Sequence, residues 1–262
     1  MNFSSRYQRP TEAGSSIGAE APIANPCNGL KYEILTNMKL PWSQGVCVYR
    51  IRALRDFGNV KAGTIGGFVA DGETLSHKGN CWIADNAIAA EFSSVKGDAV
   101  LSGNARLSGF AWISGQSRVT HHAEMTDYTS AYDNAFIGGF ASLCEGASIF
   151  ENGHVETKHQ RRFRTMRGLT TVRGNGKLLG HAAMYDKSIL EGNAILRGEA
   201  SLRENARLDG NARISFLTHV TGDAVVRGRT VVDGKSYITC RVHLFGNRHY
   251  SNVILGGDLC LC

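Results

Sequence analysis

From Gly79 onward, small and apolar residues return at fixed places every six positions along the chain. In the stretch GDAVLSGNARLSGFAWISG (97–115), a glycine opens each six, an alanine stands third and a branched aliphatic residue stands fifth. When the sequence is divided into sixes from Gly79, the third residue of each six is small and the fifth is apolar, without a break up to Glu156. This regularity indicates a chain built from one short repeated unit.

A second run of the same pattern begins at Gly168, displaced by one residue, and continues to Ser251. The runs hold thirteen and fourteen repeats, 27 in all. Between them lies TKHQRRFRTMR (157–167), which does not fit the pattern. We predict that this segment is a basic loop inserted into an otherwise continuous repeat.

The alternation within each repeat predicts one short strand and one corner. A strand sends residues i and i+2 to the same face, so the third and fifth positions point inward and the fourth points outward. The first and second positions are commonly Gly-Asn or Gly-Asp, which favour turns. Three such sides close a coil of 18 residues, whose strands stack in parallel at about 4.8 Å. The sequence therefore predicts an all-β parallel β-helix of nine coils, about 43 Å long at that spacing.

An 18-residue coil places outward residues 18 positions apart directly above one another. Three ladders follow: Phe92, Phe110 and Tyr128; Asn175, Asn193 and Asn211; and Arg173, Glu191, Asp209 and Arg227. Stacked aromatic and amide side chains ordinarily stabilise sheets. The alternative interpretation of the aromatic ladder is a platform for a ligand.

The pattern divides the chain into three parts. Residues 1–30 are rich in small and polar residues with little periodicity, and are predicted to be disordered. Residues 31–78 are predicted to form an N-terminal β cap, because 45–55 alternate as a strand and a solenoid needs a covered end. The repeat itself is assigned to 79–262.

The cap and the first repeat carry a set of short motifs. They are Asp56-Phe57, Val60-Lys61-Ala62-Gly63, Gly66-Gly67, Leu75-Ser76 and Gly79-Asn80-Cys81-Trp82. In these motifs the sequence resembles the YdcK-type hexapeptide-repeat proteins, which include phage-borne relatives. The remainder of the chain shares only the general repeat. The resemblance implies a left-handed coil and membership of the hexapeptide-repeat acyltransferases.

Composition indicates the cellular compartment more clearly than it indicates the chemistry of the protein. No apolar run reaches the length of a membrane span, and the N-terminus has no apolar leader segment. The seven cysteines include no CxxC pair, so no structural metal is predicted and a reducing compartment is favoured. We expect a cytoplasmic protein. The alternative is export through a non-classical N-terminal signal, since the Ser-rich start has no acidic residue before Glu12.

The segment 157–167 concentrates cationic side chains. They are Lys158, Arg161, Arg162, Arg164 and Arg167, with His159 among them. Such density suits phosphate groups. The resemblance implies that loops of this kind border the acyl-donor site, so Lys158, Arg161, Arg162 and Arg164 are predicted to bind the phosphates of coenzyme A. The alternatives are a solvated surface loop and a nucleic-acid contact, which is disfavoured because Phe163 is the one aromatic residue available to stack.

Acyl transfer from coenzyme A needs a base to take a proton from the acceptor, and histidine suits this role near neutral pH. Of nine histidines, His154 and His159 adjoin the basic segment and are the predicted catalytic residues. His122, His181 and His219 are also predicted at corners or outward positions. For each of them a plain surface histidine is the alternative. No nucleophile elbow, phosphate-binding loop, zinc-protease or dinucleotide motif is present.

The sequence thus leaves two functions open. One is an acyltransferase that uses acetyl-coenzyme A or another acyl-coenzyme A and an amine or hydroxyl acceptor. The other is a non-catalytic β-helix that binds or scaffolds a partner, including a phage-encoded or secreted effector-like factor. In the second frame Cys260 and Cys262 fall on inward positions with no cap after them, which predicts self-association.

Overall fold

The structure, a computed structural model, describes residues 29–43, 45–158 and 165–262. These residues form strands and turns with no helix, and so no helix that could cross a membrane. The strands, numbered β1 to β33 in chain order, belong to three sheets that are the three sides of a left-handed parallel β-helix. The predicted fold class is confirmed.

Each turn of the chain visits the three sheets in the same order, here called the first, second and third face. The first face comprises β1 (Tyr32–Pro41), β2 (Cys47–Ala53), β3 (Ile65–Val69), β5 (Ile88–Ala89), β8 (Arg106–Leu107), β11 (Glu124–Met125), β14 (Ser142–Glu145), β17 (Met166–Gly168), β20 (Ala183–Asp186), β23 (Ser201–Leu202), β26 (His219–Val220), β29 (Tyr237–Ile238) and β32 (Ile254–Leu255). The second face comprises β6 (Ser94–Val95), β9 (Trp112–Ile113), β12 (Ser130–Ala131), β15 (Ser148–Ile149), β18 (Thr171–Val172), β21 (Ile189–Leu190), β24 (Arg207–Leu208), β27 (Val225–Val226), β30 (His243–Leu244) and β33 (Cys260–Leu261). The third face comprises β4 (Trp82–Ile83), β7 (Val100–Leu101), β10 (Arg118–Val119), β13 (Phe136–Gly139), β16 (His154–Thr157), β19 (Lys177–Leu179), β22 (Ile195–Leu196), β25 (Arg213–Ile214), β28 (Val231–Asp233) and β31 (His249–Ser251).

The interior is built from the two inward positions of each repeat, as predicted. Up to Leu244 the fifth-position side chains, such as Leu101, Ile113 and Leu208, are completely buried, and so are third-position alanines such as Ala105 and Ala206. Because the aliphatic residue fills the centre and the small residue lies beside the corner, every coil contributes the same cross-section to one continuous core.

The register between coils is 18 residues in most of the chain, as in the pairing of Leu101 with Val119. Two coils differ. Leu143 pairs with Met166, so that coil is longer by five residues. The predicted loop bounds of 157–167 are therefore too wide, because Thr157 lies in β16 and Met166 fills an inward position in β17.

The second irregularity is the loss of one residue near the end of the helix. Ile238 pairs with Leu255, and Leu244 pairs with Leu261. The assignment of Cys260 and Cys262 to the inward positions is wrong, because Leu261 takes the place next to Leu244 and both cysteines are exposed. The second and third faces have ten strands each, so there are about ten coils rather than nine.

The cap is an antiparallel meander of β1, β2 and β3, and β3 then pairs in parallel with β5 of the first face. The predicted strand at 45–55 is confirmed as β2. Trp82 of the first coil is buried under the edge of Phe57, with ring centroids 5.4 Å apart. Most of the cap thus continues the core of the helix, and a second, smaller cluster is formed by Val48, Phe68, Ile88 and Ala90.

Candidate functional site

The candidate site lies on the third face, where β16 leads into the basic segment. His154 and Glu156 stand two residues apart on this strand, so their side chains leave the same side of the sheet. His154 Nε2 is 3.2 Å from Glu156 Oε2, and 30% and 46% of the two side chains are exposed. The predicted base is therefore paired with a carboxylate that fixes its orientation.

An aromatic ring supports the imidazole from the preceding coil. Phe136 of β13 is in register with His154, and the two rings stack with centroids 4.6 Å apart at 16°. The Phe136 ring leans over Gly138, where an added Cβ would lie 2.7 Å from Phe136 Cε1. A glycine at position 138 is thus required for the ring to hold this place under His154.

The surroundings of His154 are cationic on the other sides. Lys177 of β19 is the register neighbour in the following coil, and Lys158 follows directly after β16; both are exposed. The other residues predicted here, His159, Arg161, Arg162 and Arg164, lie outside the described residues. Of the predicted site, the structure therefore places His154 and Lys158.

Imidazole and aromatic rings also line the corner between the third and first faces. The basic segment lies at the same corner, one coil after Phe140. His122 stacks on Phe140 with centroids 4.8 Å apart at 2°. His121 is exposed, and its Nδ1 lies 3.6 Å from the position of a Cβ added at Gly138. The sequence placed His122 at a corner, but the stack with Phe140 was missed, although their separation of 18 residues was a readable signal.

The hydrogen bond between His154 and Glu156 determines which ring nitrogen is free for chemistry. When Nε2 carries the proton and donates it to the carboxylate, Nδ1 keeps its lone pair. A neutral imidazole held in this tautomer accepts a proton from a neighbouring amine or hydroxyl, and the carboxylate stabilises the imidazolium that results. This geometry is the one that a general base with an orienting group requires.

A second histidine on the first face has a hydroxyl partner. Ser201 Oγ and His219 Nδ1 are 2.8 Å apart, and the Tyr237 ring lies 5.3 Å from the imidazole. Burial, and to a lesser extent the charge of Arg203, lowers the pKa of His219. Ser201 is only 4% exposed, so this pair has less access to a substrate than His154. Ser201, His219 and Tyr237 are 18 residues apart, so their shared ladder was a readable signal, but the sequence gave no reason to expect the hydrogen bond between Ser201 and His219.

The predicted aromatic ladder is present at the corner between the first and second faces. Phe92 stacks on Phe110 at 5.1 Å and Phe110 stacks on Tyr128 at 5.0 Å. Phe92 and Tyr128 are 75% and 68% exposed. A further stack was not predicted, with Trp112, Tyr132 and Phe150 at 5.4 and 4.9 Å.

A surface cavity of about 570 Å³ lies where the aromatic ladder stops. Its lining residues are Asp127, Tyr128, Glu145, Gly146, Gly168 and Leu169. Gly146 stands where the next ring of the ladder would be, and the Leu169 side chain leans into that space, with its Cδ2 2.6 Å from the position of a Cβ added at Gly146. The exposed Tyr128 ring and the Leu169 side chain make this cavity the main candidate for the predicted ligand platform.

The two polar ladders of the second run are also present. Asn175 donates to Asn193 at 2.8 Å, and Asn193 donates to Asn211 at 3.1 Å. In the charged ladder, buried Glu191 accepts from Arg173 and also pairs with Arg207. The other two members of this ladder do not pair with each other in the same way. Asp209 lies 3.6 Å from Arg207, and Arg227 lies over the Phe245 ring, 4.2 Å from its centroid.

Metal ligation is not supported by the part of the chain that the structure describes. Within it, no group of three or more His, Cys, Asp or Glu side chains could hold a metal ion. The cysteines of the same ranges form no disulfide with one another.

Comparison with known proteins adds little beyond the fold. No family model and no curated protein matches this sequence. Among solved structures the chain is similar to LpxA from Acinetobacter baumannii, with a TM-score of 0.31 and 11% sequence identity, over 65% of this chain and 66% of that one. The chain thus spans slightly less than two thirds of the length of that protein. The likeness concerns the fold alone, and no residue role is transferred from it.

Proposed function

We propose that this protein transfers an acyl group from acetyl-coenzyme A, or another acyl-coenzyme A, to an amine or hydroxyl acceptor. The observation that carries the proposal is the pair of His154 and Glu156, which places an oriented base at the edge of a strongly cationic segment. The resemblance of residues 56–82 to the YdcK-type hexapeptide-repeat proteins supports the same activity.

In this proposal His154 acts as the general base. Its Nδ1 takes a proton from the acceptor as the acceptor's nitrogen or oxygen attacks the thioester carbonyl. The carbon–sulfur bond breaks, and the coenzyme A thiolate leaves with the proton that the imidazolium returns. Glu156 stabilises the imidazolium between these two transfers, and Phe136 keeps the ring in place.

Coenzyme A is a co-substrate here, and its phosphates need cationic partners. Lys158 lies two residues beyond Glu156 and is exposed. A guanidinium group can bind two phosphate oxygens at once, and Arg161, Arg162 and Arg164 follow within the next six residues. We assign the phosphates to these four side chains, with His159 as the second candidate base.

Release of free thiol from acetyl-coenzyme A in the presence of a panel of amines tests the activity. His154→Ala is expected to lower kcat about 100-fold or more, which is the usual share of a general base, and Glu156→Gln about 10-fold. His243→Ala changes an outward histidine on the second face and serves as the matched control. No thiol release with any acceptor, together with no binding of coenzyme A by calorimetry, would contradict the proposal.

The aromatic ladder supports a second candidate, a non-catalytic binding or scaffold protein. The exposed Tyr128 ring and the adjoining cavity beside Leu169 suit a flat apolar group. An aromatic dye such as anilinonaphthalene sulfonate is expected to bind there, and Tyr128→Ala to reduce that binding several-fold. Unchanged dye binding in Tyr128→Ala, with Asn193→Ala as the control on another ladder, would exclude this cavity.

Self-association is proposed for the last coil. Ile254 lies at an outward position of β32 and is 82% exposed. A second copy of the chain would bury it. Sedimentation of the wild type is expected to give an oligomer and of Ile254→Lys a monomer; a wild-type monomer at micromolar concentration contradicts the proposal.

A cytoplasmic location, or an exported effector-like role for the scaffold, stays a prediction. Cell fractionation of the full chain beside a variant lacking residues 2–30 distinguishes them, because only the exported form would lose its extracellular fraction.

A further inference from the structure

A lysine is completely enclosed where the cap meets the first coil. Lys31 has no exposed surface, and its Nζ lies 2.8 Å from the carbonyl oxygen of Cys81 and 3.1 Å from Cys81 Sγ. The Phe57 ring covers the ammonium group, with its centroid 5.0 Å away. Lysine is almost never fully buried unless it is paired, so this position calls for an explanation.

No carboxylate pairs with Lys31 in the described ranges, which leaves Cys81 as its side-chain partner. Burial lowers the pKa of Lys31, which favours the neutral, nucleophilic amine. The backbone carbonyl would be an adequate partner for structural purposes alone, so the contact with sulfur is an additional feature.

The thiol at position 81 is unusual for its place in the repeat. Cys81 stands third, where the next three repeats have Ala87, Ser93 and Ala99, and its Sγ also lies 3.5 Å from the carbonyl oxygens of Ser76 and Val95. The alanines show that this place is filled without sulfur elsewhere, so a thiol in contact with a buried amine adds chemistry to the position.

We propose that Lys31 and Cys81 form a redox modification site, in which peroxide oxidation links Nζ to Sγ covalently. Hydrogen peroxide converts the thiol to a sulfenic acid and releases one water. The amine then attacks the sulfenic sulfur, a nitrogen–sulfur bond forms, and the hydroxyl leaves as a second water with a proton from the amine. A second equivalent of peroxide inserts one oxygen between nitrogen and sulfur and releases one further water.

The link would tie the cap to the β-helix. Lys31 directly precedes β1, Cys81 directly precedes β4, and the two residues are 50 positions apart. A cross-link over a loop of that length restricts the unfolded chain. We expect oxidation to raise the Tm by about 5–10 °C, and reduction to reverse this. The inference is independent of acyl transfer.

Mass spectrometry of the full chain after peroxide treatment tests the proposal. The expected product is one peptide that contains both residues, lighter by two hydrogens, or heavier by one oxygen less two hydrogens. Trypsin should fail to cut after Lys31 in this product, and dithiothreitol should restore the cut.

Two variants keep the test decisive. Cys81→Ala matches the neighbouring repeats, is expected to fold, and should give no linked peptide and no oxidative rise in Tm. Lys31→Met should leave Cys81 as a sulfenic or sulfinic acid without a link. The proposal is overturned if the wild type shows Lys31 free, and Cys81 unmodified or merely oxidised, under conditions that oxidise exposed Cys240, Cys260 and Cys262.

Discussion

The stacked aromatic ladders lie between Gly79 and Glu156 and the charged ladder lies between Gly168 and Ser251, whereas the asparagine ladder begins at Asn134 and continues through both runs to Asn211. The interior is the same in both runs, with an aliphatic side chain at the centre and a small one beside the corner. The difference shows that the inward positions specify the fold while the outward positions are free to vary. Function in this molecule is therefore to be sought in departures from the regular exterior, such as the pair of His154 and Glu156.

The largest expected effect comes from the shared interior. Leu107→Ala in the first run and Leu208→Ala in the second should each lower the free energy of unfolding by about 2–5 kcal/mol, because each leaves a cavity in the same packed cross-section. Denaturant unfolding measures both. A loss in one run that is several times the loss in the other would break the comparison.

The next effect belongs to the charged ladder of the second run. Glu191→Gln should cost about 2 kcal/mol, because Arg173 and Arg207 lose a carboxylate that is itself buried. The exposed Glu199→Gln is the control and should cost little. Denaturant unfolding at low and high salt checks the result, and equal losses in the two variants would show that the ladder contributes no net stability.

The aromatic and amide ladders can be compared by single truncations. Phe110→Ala removes two ring stacks and should cost about 1–2 kcal/mol, whereas Asn193→Ala removes two exposed hydrogen bonds and should cost about 0.5–1 kcal/mol. Thermal unfolding of both variants gives the order. A reversed order would mean that the aromatic ladder contributes less to stability than the amide ladder, and would favour a role in binding.

The smallest effect concerns His219 and pH. Its pKa in the folded protein is lowered from 6.5, so the unfolded chain takes up the proton first as the pH falls. The stability that neutral His219 contributes is thus present above about pH 6.5 and is lost as the pH falls through the folded pKa. Between pH 7.5 and 5.5 the wild type should lose about 1–3 °C more in Tm than His219→Gln. Parallel pH dependence in the two proteins would contradict this.

Much of the fold could be predicted because each inward position carries its own signal. The repeat of small and aliphatic residues fixed the strands, and the 18-residue coil then placed Phe92, Phe110 and Tyr128 in one ladder. The late shift of one residue was missed, although Leu255 and Leu261 are better core residues than Gly256 and Cys262. Three consecutive apolar residues at 253–255 obscured the alternation there.

The candidate site was predictable only in part. Residues two apart on a strand share a side, so the neighbourhood of His154 and Glu156 was accessible from the sequence. The contact of Lys31 with Cys81 was not, because it depends on how the antiparallel cap folds back onto the first coil, and no period connects the two positions.

Because successive coils have the same interior, each regular coil adds the same length along the axis of the β-helix. Removing the 18 residues of one regular coil, such as 187–204, should leave the cap and the aromatic ladder unchanged and bring the last coil closer to them by about 4.8 Å. The spacing between surface features along this axis is therefore adjustable in whole steps, without redesign of any single contact inside.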